Sequence, residues 1–138
     1  MSADSSLPLQ AAIVARLKAN TALNAVVHGR VYDRAPDDAE TPYVQIGEAE
    51  VTPFRAQCMR GVSQFLSITT WADGHLASVD VKRMNDAIVA SLDEQSFPVA
   101  GHIIQTLSWV RTRGPFRDPD GVTRQGVNEF TCITLPAG

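Results

Sequence analysis

The sequence predicts an α+β domain. The expected architecture is a mostly antiparallel or mixed sheet of about five strands with two main helices on one face, in the order α-β-β-β-α-β-β. Two segments carry apolar residues at spacings of three and four, as helices do. Several others alternate or run extended between turn residues, as strands do. The 138 residues hold no internal repeat or dividing linker, which fits one domain over residues 1–138, with a leader at 1–6 and a tail at 136–138.

Ser6 and Pro8 offer a cap and a first-turn proline, and Leu9, Ala12, Ile13 and Leu17 then recur at helical spacing to about Asn20. A shorter helical piece, Thr21 to Val27, stops at Gly29, a residue suited to a left-handed terminus. Val31 and Tyr32 begin extended structure. Ala35 to Pro42 holds two prolines and the carboxylates Asp37, Asp38 and Glu40, and reads as an exposed loop. Tyr43 to Val51 and Val62 to Ala72 are strands. On the second, Val62, Leu66 and Ile68 share one face and Phe65 and Trp71 the other. Pro53 to Gly61 is expected to be the mobile tip of a long hairpin. After Asp73 and Gly74, the stripe Ala77, Val81, Met84, Ile88 and Leu92 marks the main core helix. His102 to Arg113 is extended. Asp118, Pro119, Asp120 and Gly121 form a turn, and the return strand from about Gln125 to Leu135 sets Val127, Ile133 and Leu135 against Phe130 and Cys132. Phe65, Trp71, Trp109 and Phe130 are left on a sheet face with no third layer to cover them. Exposed patches of that kind mark association.

Composition narrows the function. Hydrophobic residues at 44% and charged residues at 20% are ordinary for a soluble domain. A net charge of -3 has the wrong sign for wrapping nucleic acid. No apolar run near the start approaches a membrane span, and no basic segment precedes it as in a secretory signal. Cys58 and Cys132 are far apart and read as free thiols of a reducing compartment.

Catalytic and ligand motifs are not evident. His28, His75 and His102 are scattered, the acidic loop lacks the spaced glycine of a calcium site, and no phosphate-cradling or nucleophile-elbow glycine pattern occurs. The expectation is therefore no catalytic residues, no metal and no cofactor. Charge is distributed unevenly instead. Asp33 to Glu50 contains six acidic residues and one arginine, for a local charge of -5. Arg111 to Arg124 contains Arg111, Arg113, Arg117 and Arg124 against Asp118 and Asp120, for +2. Such asymmetry suits contact between copies in a ring or stack.

Four segments together resemble the tail-completion, or tail terminator, proteins of long-tailed bacteriophages and gene transfer agents. They are "LQAAIVARLKANTALNAVV", "GRVYDRAP" followed by "TPYVQIG", "FLSITTWAD", and "RDPDGVTRQGVNEF". The resemblance spans about Leu9 to Phe130 and implies a structural, non-enzymatic subunit of a homohexameric ring. That ring would cap the head-proximal end of the tail, halt the tail tube protein, and meet the head-tail connector or stopper protein. It also implies assembly in the bacterial host cytoplasm, no membrane partner, and DNA sliding through without sequence-specific binding. In that setting Asp37, Asp38 and Glu40 are candidates for the lumen or a subunit contact. Phe65, Trp71, Trp109, Phe130, Arg111, Arg113, Arg117 and Arg124 are candidates for subunit or partner contacts. Two other readings stay open: a head-side neck or tail-tube subunit, and a small hydrolase using His75 or His102 with a nearby carboxylate.

Overall fold

A computed structural model describes residues 3–137. The chain runs α1 (Ser6–Lys18), α2 (Thr21–Val27), β1 (Val31–Tyr32), β2 (Tyr43–Ala56), β3 (Met59–Asp73), α3 (Ala77–Leu92), β4 (His102–Arg117) and β5 (Thr123–Pro136). The strands form one five-stranded sheet in the order β1-β2-β3-β5-β4. The short β1 runs parallel to β2, and every other pairing is antiparallel. This is the predicted α+β layout.

The helices bury one sheet face. Leu9, Ile13 and Leu17 of α1, Leu23 and Val27 of α2, and the whole predicted α3 stripe join Val44, Leu66, Ile68, Leu107, Phe130 and Cys132 in one apolar core. Burying each large side chain there contributes roughly 1.5–3 kcal/mol. Asn20 starts α2 by accepting a hydrogen bond from the Leu23 amide at 2.8 Å. The left-handed terminus expected at Gly29 begins one residue earlier, because His28 is the C-cap with φ of 52°.

The expected leader also differs. Ser5 is fully buried, and its hydroxyl meets Thr134 Oγ1 at 2.5 Å and accepts from Gln64 Nε2 at 2.8 Å. With its side chain committed to the sheet, Ser5 precedes α1 without capping it, and Ser6 is already helical. Pro136 likewise ends β5 instead of opening a tail; residues 1–2 and 138 lie outside the described residues. The expected mobile tip between Pro53 and Gly61 is a paired ladder as far as Ala56 and Met59, closed by Gln57 and Cys58. Pro53 fits because β1 pairs only near Val44 and Gln45, which leaves this half of β2 a free edge where no amide is needed.

Two of the four aromatics assigned to the uncovered face belong elsewhere. Residues directly opposite in an antiparallel ladder share a face. Phe130 lies opposite Leu66 and Trp109, which places both Phe130 and Trp109 on the helix side. Phe130 is fully buried there. Trp109 stands on the edge strand and remains 45% exposed. The cause is the ambiguity of β5, which is apolar on both faces, so the sequence alternation did not reveal which face meets the helices.

Candidate assembly surface

The side of the sheet away from the helices has no covering layer among the described residues. It is built from alternate positions of four strands. Phe65, Ser67, Thr69 and Trp71 on β3 lie opposite Thr131, Glu129, Val127 and Gln125 on β5, and Arg111, Arg113 and Phe116 on β4 continue the rows outward.

At one end an aromatic group is packed by β1, β2 and β3. The rings of Tyr43 and Trp71 stack at 6.2 Å, and Tyr32 meets Tyr43 edge-on at 5.9 Å. Partial burial, with the Asp118 and Tyr32 charges adding to it, raises the Tyr43 hydroxyl above the usual tyrosine range. Trp71 is half-buried, and its indole Nε1 is a buried donor with no partner among the described residues. Phe116 belongs to the same face at 44% exposure.

In the middle lies a charged cluster. Glu129 is only 5% exposed although no helix covers it. Arg111 Nε donates to Glu129 Oε1 at 2.5 Å and Arg113 Nε donates to the same oxygen at 3.1 Å. The hydrogen bond from Arg111, with the charges of both arginines, holds the Glu129 carboxyl below the usual carboxylate range despite its burial. Both arginine side chains remain more than half exposed, so one carboxylate anchors two guanidinium groups with donors still facing outward.

Glu129 lies outside the Arg111 to Arg124 segment, and counting it lowers that region's predicted +2 to +1. Arg117 and Arg124 stand opposite each other beside the Asp118 and Asp120 turn. Asp120 is a turn-former: its Oδ2 accepts from the Thr123 hydroxyl and its Oδ1 from the Thr123 and Val122 amides at 2.8 and 2.9 Å, and these bonds, led by that from the Thr123 hydroxyl, lower its pKa. The basic segment is thus largely neutralised by its own neighbours. The acidic loop is not. Asp37 and Asp38 are exposed and make no ion pair among the described residues, and Glu40 meets only Arg30, at 3.8 Å.

Trp109 is held from behind. Its amide donates to Asp93 Oδ1 at 2.9 Å and its indole to Thr112 Oγ1 at 3.0 Å. Thr112 bonds Asn128 at 2.8 Å, and Asn128 donates to Asn85 Oδ1 at 2.9 Å, where Thr70 also donates at 2.9 Å. Gly126 makes room for this buried network, since a Cβ there would lie 2.6 Å from Thr70 Oγ1 and 2.8 Å from both Asn85 side-chain polar atoms. His75 and His102, the histidines of the hydrolase reading, stand apart: His75 is exposed before α3, and His102 is buried at the start of β4. Among the described residues no three His, Cys, Asp or Glu side chains converge as metal ligands.

Sequence reasoning missed Tyr32, Tyr43, Phe116 and Glu129. Tyr43 and Glu129 carried a signal in their parity, but parity becomes a location only when register is known.

A family model for tail completion protein gp17 matches residues 11–135. The chain belongs to this family. Membership gives it a structural assembly role in a phage or gene-transfer-agent particle. Among solved structures, a chain in the virion of a native gene transfer agent particle aligns with a TM-score of 0.86 at 21% identity, covering 97% of this chain and 99% of that one. The bacteriophage SPP1 gp17 protein aligns with a TM-score of 0.55 at 19% identity, covering 97% and 91%. At these identities the likeness establishes the shared fold. No curated protein matches in sequence.

Proposed function

We propose that this protein closes the head-proximal end of a tail as a ring of six copies, stops growth of the tube, and offers the joining surface to the head connector. Family membership supports the tail-completion role. The observation that carries the assembly reading is the one-sided sheet, which leaves Phe65, Trp71 and Phe116 uncovered around the Glu129 cluster. An isolated domain gains nothing from a half-open aromatic face, whereas an assembling one holds it ready for a partner.

Arg111 and Arg113 suit a partner contact because Glu129 has already ordered them, so less side-chain entropy is lost on docking. Phe65 and Trp71 supply apolar area beside them, and Trp109 is an aromatic anchor on the other side. Arg117 and Arg124 contribute at the neighbouring hairpin end. Asp37, Asp38 and Glu40 form an exposed negative loop that suits either a subunit contact or a channel wall from which DNA is repelled.

The test is removal of the gene from a producing host, with tails examined by electron microscopy. The expected result is overlong, irregular tails without heads, restored to normal length by the wild-type gene in trans. Filled heads leaking DNA beside tails of normal length would overturn the capping function.

A further inference from the structure

The distal half of the β2–β3 hairpin is an unusual piece of surface. From Val51 to Pro53, and again from Gln57 to Arg60, consecutive residues are exposed, so both faces of the ladder meet solvent. No Asp or Glu occurs between Val51 and Ala72, while Arg55 and Arg60 stand directly opposite each other. Like charges placed opposite across a ladder are destabilising. Neither arginine makes an ion pair among the described residues. Val51 and Met59 add exposed apolar surface at 37% and 39%. A regular hairpin that repels itself electrically and buries little is shaped for something outside its own chain.

Complementary charge exists on the same protein, at a place this hairpin does not reach. Six acids lie between Asp33 and Glu50; Glu48 and Glu50 are on β2 itself, about 16 Å or more along the strand from Arg55 at about 3.3 Å per residue, whereas the exposed Asp37 and Asp38 precede Tyr43, where β2 begins. Arg55 lies near the other end of that 14-residue strand, roughly 40 Å away at about 3.3 Å per residue. That separation far exceeds the screening length of about 8–10 Å near physiological salt. The two ends therefore neutralise each other only between molecules.

We infer that the β2–β3 hairpin is a cationic arm that docks on the Asp37–Asp38 loop of a second copy. The contact is heterologous, one patch meeting a different one, and each copy offers both halves. Such contacts close into rings when the rotation per subunit allows. The inference rests on the ring reading and identifies one of its joints. Nucleic acid is the weaker occupant, because two arginines on a chain of net charge -3 release few counterions.

The experiment supplies variants in trans to a host lacking the gene and counts tails of normal length. R55E/R60E and D37K/D38K are each expected to reduce that count at least about tenfold, the scale of losing paired interfacial charges. Their combination in one chain is expected to restore it to within about threefold, and R55K/R60K to behave as wild type. R55Q/R60Q separates docking from folding. Relief of the arginine repulsion is expected to leave the purified protein's melting temperature unchanged or raised while the tail count still falls. Wild-type counts from either reversed pair, or no recovery in the combined variant, would overturn the arm while leaving the capping function intact. Normal tails in the host without any copy of the gene would overturn the capping function itself. Retardation of duplex DNA by the purified protein at about 50 mM salt, abolished in R55Q/R60Q, would replace the second copy with nucleic acid as the arm's occupant.

Discussion

Phe130→Ala distinguishes a core aromatic from an assembly aromatic. Phe130 is fully buried and packs in the core shared with the α3 stripe. Truncating such a phenyl ring costs about 3–5 kcal/mol, part from lost transfer energy and part from the cavity left behind. A domain's whole stability is about 5–15 kcal/mol. At about 3–5 °C per kcal/mol for a chain of this size, the melting temperature should fall by roughly 10–20 °C. Trp109→Ala is the matched control. Trp109 is 45% exposed and gives up one side-chain hydrogen bond, to Thr112. That bond is worth about 1 kcal/mol and the buried half of the ring about as much again, so a fall of no more than about 10 °C is expected. The assay is thermal unfolding of the purified proteins, followed by far-ultraviolet circular dichroism and paired with tail counts in the complemented host. A Phe130→Ala protein melting within about 3 °C of wild type while losing tail assembly would refute the assigned register. It would return Phe130 to the uncovered face.

Other expectations follow from the same geometry. Gly126→Ala should cost about 1–3 kcal/mol by forcing a methyl group into the Thr70–Asn85–Asn128 network, read as a lower urea midpoint with unchanged slope. Ile88→Asp places an unpaired charge at a fully buried position and should abolish soluble expression. The native Glu129 pKa lies below its ordinary value of 4.5, so the stability from this pairing is present above that value and is lost as pH falls through the native pKa. Wild type should therefore exceed Glu129→Gln in urea midpoint by more at pH 7 than at pH 3; an equal gap at both would contradict the ion-pair account. Burial raises the Cys132 thiol to about 12 while Cys58 is exposed, so a thiol reagent at pH 8 should label Cys58 quickly in the native protein and both cysteines only after denaturation.

The sequence exposed those features that depend on local periodicity. The α3 stripe, the Asp118–Gly121 turn and the Phe65/Trp71 face of β3 could be read because apolar spacing or turn chemistry has one solution there. Features that depend on register could not. Sequence alternation puts Phe130 and Trp109 on the wrong face because β5 is apolar on both sides and β4 contains three register shifts. Glu129 has no signal of its own in the sequence beyond its parity, because only the ladder sets it opposite Arg111. The same pairing lowered the charge expected for the arginine segment. The hairpin between Pro53 and Gly61 looked mobile because it is polar and contains proline, yet an edge position satisfies both facts. The Asn85–Asn128 network gave no warning, since a buried polar network is recognised only when its members meet.

A ring that stops growth has a fixed copy number, so copies per tail measured against tail length separate it from a tube subunit. Tails of several lengths, obtained from hosts whose tube length has been altered, would be purified and the copies of this protein per tail counted by quantitative labelling. Six copies at one end are expected, whatever the length. A copy number rising in proportion to length would contradict the ring and make the protein a building block of the tube.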